Sequence, residues 1–152
     1  MRFKKFVLII CCFLMIPSLV RAGEYESGVK TKVILKTTVT SSGAPIAYLK
    51  TDHPEITAMT VEIAPGAQTG WHKHTIPVYA YVISGTLTVN MEGGKTREFK
   101  EGDVIIEVVN TRHNGINQGE TPVKLIVFYT GAQGTPLAFK AEAATTATGN
   151  KK

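Results

Sequence analysis

The sequence predicts an all-β domain, built from short antiparallel strands closed into a sandwich or barrel. Short runs rich in Val, Ile, Thr and aromatic residues recur at close spacing. Gly, Pro, Asn and Asp punctuate them. No stretch of ten or more residues repeats its apolar positions at helical spacing.

Each element follows from its own residues. Residues 33–40 are rich in Val, Ile, Leu and Thr and read as a first strand. Residues 56–64 alternate through Ala58-Met59-Thr60-Val61-Glu62-Ile63, the period of a strand with one buried face. Ala64-Pro65-Gly66 then reads as a turn. Residues 78–83 and 87–91 flank Ser84-Gly85-Thr86, a hairpin signal. Glu92-Gly93-Gly94-Lys95 turns the chain into a strand over 96–99, and Glu101-Gly102-Asp103 turns it again. Residues 104–109 form an apolar run broken only by Glu107, and 123–130 form the last predicted strand.

The ends of the chain read differently. Arg2, Lys4 and Lys5 precede an apolar run over residues 6–16, which suits a signal-peptide core and is short for a membrane span. Residues 1–22 are therefore expected to be a signal peptide, with Val20-Arg21-Ala22 at the cleavage site; an uncleaved anchor is the alternative. A periplasmic or secreted location follows, with no membrane association after cleavage. Residues 23–140 are expected to form one domain, with its core over about 45–130. Residues 141–152 are Ala, Glu, Thr, Gly, Asn and Lys with no large apolar side chain and read as a loose tail. Both cysteines, Cys11 and Cys12, fall in the signal, so the mature domain carries no thiol. Four of the seventeen Lys and Arg fall there too, leaving thirteen against twelve Asp and Glu. A near-neutral mature chain gives no compositional argument for nucleic-acid binding.

Three of the four histidines fall between residues 66 and 117, in the pattern Gly66-x(5)-His72-x-His74 followed by Gly102-x(10)-His113-x(3)-Asn117. His72 and His74, two positions apart on an extended chain, point to the same face. If His113 joins them, three imidazoles can hold one divalent transition metal ion and leave positions open for a ligand.

In these residues the chain resembles the cupin family, whose fold is a double-stranded β-helix, or jelly-roll, barrel. The first cupin motif places a glutamate where Val78 stands, after His72 and His74 and before Gly85. The second places a proline at Val108 and a glycine at Asn110, between Gly102 and His113, with Asn117 at its end. All spacings are kept and three residue types are not. The resemblance implies that His72, His74 and His113 are metal ligands, while Val78 removes the family's usual carboxylate ligand. The ion could be Fe(II), Mn(II), Zn(II), Ni(II) or Cu(II), since affinity order and availability compete. A second reading keeps the histidines as hydrogen-bonded polar groups of an emptied, metal-free cupin. With three neutral imidazoles, the occupied site would keep a charge of +2 and favour an anionic or enolisable oxygen chelate.

Glu107 could replace the missing carboxylate, but the solvated or structural reading is preferred, because burying a lone carboxylate is costly. His53, before Pro54, reads as a surface residue. Trp71 should face away from His72, as a core or interface anchor. Val78, Ala80 and Val82 should form a smooth apolar wall of the cavity, with Tyr79 and Tyr81 facing away and suited to a homodimer contact. Met59, Val61, Ile63, Met91, Ile105, Phe128 and Tyr129 are candidates for the core or cavity lining. Asn117 should brace the His113 segment. Two functions fit: a metal-dependent dioxygenase or isomerase acting on a small oxygen-chelating substrate, or a non-catalytic module that binds a small molecule or metal. No general base is evident, and no Ser/His/Asp set or mature cysteine supports covalent catalysis.

Overall fold

The computed structural model describes residues 28–140 of the 152. The expected signal peptide and the expected tail lie outside the described residues. The chain divides between Val33 and Ile34. Of the first part only residues 28–33 are described; they are exposed and contain no strand. All that follows concerns the second part.

Nine strands and no helix occur among the described residues: β1 (Pro54–Ile63), β2 (His72–Lys73), β3 (Val78–Ser84), β4 (Thr86–Met91), β5 (Lys95–Lys100), β6 (Val104–Ile106), β7 (His113–Ile116), β8 (Val123–Ala132) and β9 (Phe139–Lys140). They form two antiparallel sheets, ordered β1-β8-β3-β6 and β5-β4-β7-β2-β9. Neighbours distant in sequence pair directly. β1 and β8 match along their whole length, from Pro54 opposite Ala132 to Ile63 opposite Val123. This is the all-β architecture that the strand pattern predicts, in the jelly-roll form that the cupin resemblance implies.

The predicted alternation sorts the side chains. On the first sheet Ile63, Val78, Ala80, Val82, Ile105, Val123, Leu125 and Val127 are buried. On the second, Leu87, Val89, Met91 and Phe99 meet them in one core. Each of these side chains except the small Ala80 contributes about 1.5–3 kcal/mol on leaving water. Tyr81 and Ile83 are exposed on the opposite face of β3, as their parity requires. The β3–β4 hairpin turns at Gly85, whose φ is 82°. A Cβ there would also lie 3.0 Å from Pro122 O and Val123 Cα. Only glycine meets both conditions without strain.

The predicted strand over 33–40 is not formed. Val39 makes one isolated bridge to Pro45, and Ile34, Leu35 and Val39 stay exposed. β-propensity marks residues that suit a sheet but supplies no partner for them. The chain instead tightens into a turn, in which Thr40 N–H donates to Ala44 O (2.8 Å) and Gly43 N–H to Thr40 O (2.9 Å). Ser41 fastens that turn to the barrel, donating from both its N–H (2.8 Å) and its Oγ (2.7 Å) to Ile106 O. The strand predicted over 104–109 ends at Ile106, and its departure from the sheet shapes the site. The short strands β2, β7 and β9 had no sequence signal.

Candidate metal centre

The register of the second sheet brings the histidines together. β2 pairs with β7 so that His72 lies directly opposite His113. His74, two residues on, shares the face of His72 and bridges Val109 in parallel. Asn110 N–H donates to His74 O at 2.7 Å and fixes that crossing. Asn110 has φ of 57°, a left-handed conformation that Asn tolerates better than most residues. The turn it makes leads the chain from Glu107 round to His113.

The three rings are in mutual contact. Their centroids are 4.9 Å apart for His72 and His74, 4.4 Å for His72 and His113, and 5.1 Å for His74 and His113. One ligating atom from each lies within 4.8 Å of the others. His74 and His113 are buried and His72 is half-buried.

Each Nδ1 is held by a backbone carbonyl: His72 by Gly70 O (2.8 Å), His74 by Leu137 O (2.6 Å) and His113 by Thr111 O (3.0 Å). A carbonyl oxygen can only accept, so the proton of each neutral ring must sit on Nδ1. Each Nε2 then presents a lone pair. This is the arrangement by which outer hydrogen bonds set the tautomer and direction of metal-binding histidines.

Glu107 faces the same point. Its Oε2 lies 3.1 Å from His74 Nε2 and 3.2 Å from His113 Nε2. Both Oε2 and His113 Nε2 are shielded from solvent and have no hydrogen-bond partner. Without a cation these are lone pairs facing one another. Either protons on the imidazoles or a metal ion must intervene. In the protonated case burial pushes the Glu107 carboxyl up, but the two imidazoles outweigh it and hold the pKa at about 2. Burial disfavours charge on His113, yet the Glu107 hydrogen bond and the Thr111 carbonyl raise its pKa. His72 moves the other way: burial lowers it, and the neighbouring imidazoles add to that. The donor set also suits a divalent transition metal, since two cis ligands at about 2.1 Å from one ion lie about 3 Å apart.

The cluster forms one wall of a cavity of about 400 Å³. Val61, Leu87, Val89, Ile105, Leu125 and Val127 line its interior, while Tyr129, Thr69 and Lys140 supply the other polar groups near the histidines. The Tyr129 ring meets His74 edge-on at 5.6 Å. Burial raises the phenol pKa and the Glu107 charge raises it further.

A cupin-domain family model matches residues 59–129. The chain carries a cupin domain. Solved structures of similar fold include the DMSP lyase DddQ of Ruegeria pomeroyi DSS-3, 21% identical over 65% of this cupin and 47% of that chain, with a TM-score of 0.51. A Lactobacillus farciminis oxalate decarboxylase, in a formate complex, is 23% identical over 56% of this cupin and 26% of that chain, with a TM-score of 0.50. This cupin therefore spans less than half of either protein, and at such identity the likeness concerns the fold. No functionally curated protein matches the sequence.

The cupin brings His72, His74 and His113 together and leaves His53 exposed. Val78, Ala80 and Val82 are buried on the inner face, but they pack into the core and are not among the residues that line the cavity. For Glu107 the structure sets aside the solvated reading and keeps the structural one: the side chain is turned inward, 19% exposed, against two imidazoles. Trp71 is 42% exposed, outside the core and the cavity wall, which leaves the interface reading of that residue. Phe128, a candidate for the core, is exposed on the outer face of β8. Asn117 spans more than the His113 segment. Its Nδ2 donates to Ile63 O (2.9 Å) and Thr121 O (2.8 Å), and its Oδ1 accepts from Gly119 N–H (3.0 Å). Leu137 had no signal in the sequence, because it acts through a backbone carbonyl. Tyr129 was legible as a lining residue but not as the phenol beside His74.

Proposed function

We propose that this cupin is an exported metal-dependent protein of the small dioxygenase or isomerase type, with His72, His74 and His113 as ligands of one divalent transition metal ion. The observation that carries this reading is the set of three Nδ1 contacts to Gly70, Leu137 and Thr111 carbonyls, which aims three Nε2 lone pairs at one place. A bound divalent ion acts there as a Lewis acid toward oxygen atoms of a ligand. The cavity selects what arrives. Its apolar interior accommodates about a dozen water-sized groups, so a small molecule with an oxygen chelate at one end and an apolar body fits it. Leu87, Val89, Leu125 and Val127 surround the body. Lys140 adds positive charge for an anionic head, and Tyr129 adds a phenol to the same lining. Export rests on the basic and apolar pattern of residues 1–22.

The test is metal analysis of the full chain, as purified and after reconstitution. One equivalent of ion is expected, and less than about a tenth under both conditions refutes the metal reading. Oxygen uptake across enediols, catechols and β-diketones then tests dioxygenase turnover. A binding module is the second reading. It is favoured by the few titratable lining groups outside the histidines and Glu107, which among the described residues are Tyr129 and Lys140. Metal without turnover on any ligand selects it.

A homodimer through the outer face of the first sheet belongs to the same proposal. Phe128 stands between Ala58 and Tyr79, and Ile126 between Thr60 and Tyr81, so rows of mainly apolar and aromatic residues cross three strands. The exposed Glu62–Lys124 pair (3.4 Å) lies on the same face, offering opposite charges that a two-fold copy can match. Light scattering should give a dimer, and Phe128→Asp should give a monomer with unchanged metal content. A wild-type monomer at high micromolar concentration refutes it.

A further inference from the structure

We infer that Glu107 is a fourth, carboxylate ligand of the metal centre, delivered from the first residue beyond β6, the strand next to the one that carries the family's glutamate position. The inference rests on the metal reading above and adds to it the ligand that the motif lacks. Its basis is register. β3 and β6 pair with Tyr79 opposite Ile106. One residue further, Glu107 falls beside Val78, and Glu107 N–H donates to Val78 O at 2.9 Å. Directly opposed residues of an antiparallel pair have their Cα atoms about 4.5–5.5 Å apart and project to the same face. A glutamate side chain spans that offset. A carboxylate at position 107 can therefore reach the point that one at position 78 would reach.

The surroundings support ligation on independent grounds. Val78 is 1% exposed and offers no donor. Oε2 of Glu107 is shielded and without a hydrogen-bond partner, 3.1 and 3.2 Å from two Nε2 atoms whose rings carry their protons on the far side. Those separations suit cis ligands of one ion. The main chain holds the carboxylate in place on both sides. Ser41 binds Ile106 O just before it, and Asn110 N–H binds His74 O just after it. The consequence is electrostatic: with a divalent ion, three neutral imidazoles and one carboxylate the centre carries +1. Its preference for an anionic ligand is weaker than that of a three-histidine centre.

The experiment exchanges the two positions. Zn(II) affinity of the full chain is measured by competition with a chromogenic chelator, and Co(II) spectra report the ligand field. Wild type, Glu107→Gln and the double variant Val78→Glu/Glu107→Val are compared, with metal-free folding checked by circular dichroism. Glu107→Gln is expected to lose at least about tenfold in affinity and to alter the Co(II) spectrum. The exchange variant should regain most of that loss and a spectrum close to wild type. Wild-type affinity and spectrum in Glu107→Gln overturn the inference while leaving the three-histidine centre intact. A folded exchange variant that regains nothing overturns it as well. No uptake of either metal by wild type removes the metal reading itself. Should the exchange variant not fold, the affinity and spectrum of the near-isosteric Glu107→Gln decide.

Discussion

Stripped of metal, the cluster should make stability depend on pH in a direction fixed by Glu107. Its pKa falls from 4.5 to about 2 on folding, because His74 and His113 outweigh the cost of burial. A carboxyl with a depressed folded pKa stabilises the fold above its unfolded pKa, and that contribution disappears as pH falls toward the folded value. The shift corresponds to about 3 kcal/mol at full effect. Between roughly pH 5.5 and pH 3 about 2 kcal/mol of it should be lost. His113, whose pKa is raised, contributes below 6.5 and loses its contribution as pH rises through its folded value. His72 opposes it: its pKa is lowered chiefly by burial, so stability falls as pH drops below 6.5 and stops falling once the folded ring is itself charged. The Glu107–His113 pair is thus at full strength between about pH 4.5 and 6.5. Urea unfolding of chelator-treated protein at several pH values measures this, with Glu107→Gln as the control for all other carboxylates. The wild-type curve should fall more steeply on the acid side by about 2 kcal/mol. Parallel curves for wild type and Glu107→Gln would refute the reasoning.

Three further outcomes are open to measurement. Asn117→Ala leaves the buried Ile63 carbonyl, the part-buried Thr121 carbonyl and the Gly119 N–H without their partner. It should cost about 2–4 kcal/mol in urea unfolding while leaving metal stoichiometry at one; a loss under about 1 kcal/mol would show that water replaces the amide. Asn110→Val should cost roughly 1–2 kcal/mol, since a β-branched residue is strained at φ of 57°, and it should weaken metal binding by shifting the 107–113 turn. Asn110→Gly should do neither, and equal behaviour of the two variants would remove the backbone explanation. Gly85→Ala should destabilise by roughly 1–3 kcal/mol through its φ and its approach to Pro122 and Val123; an unchanged Tm would contradict that.

The long strands were legible because their information is local. In β1, β3 and β8 alternate residues enter one core, and that period is written in the sequence. Residues 33–40 carry equally good β-formers, but a strand is a property of a pair and no neighbouring strand pairs with them in the second part of the chain. The opposite failure occurred at β2 and β7, whose two and four residues are too few to show a period. The family resemblance supplied the three histidines all the same, since motif spacing survives where periodicity does not. The proton positions were out of reach, because they are set by carbonyls of Gly70, Thr111 and Leu137 that any residue could have provided.

Glu107 shows what a motif measures and what it omits. A motif ties a residue type to a position along the chain, whereas the barrel ties a side chain to a row across its strands. Glu107, Val78 and Tyr129 belong to one such row, because Val78 lies opposite Tyr129 on β8 and beside Glu107 at the end of β6. Neighbours in a row share a face and differ in position by one interstrand spacing, about 4.8 Å. A long side chain covers most of that distance and a short one does not. Glutamate can therefore move one place along the row and still present an oxygen to His74 and His113, as the distances of 3.1 and 3.2 Å record. Aspartate at 107, shorter by a methylene, should fall short of the imidazoles. Read along the chain, Val78 is a lost ligand; read across the sheet, the carboxylate has changed strands.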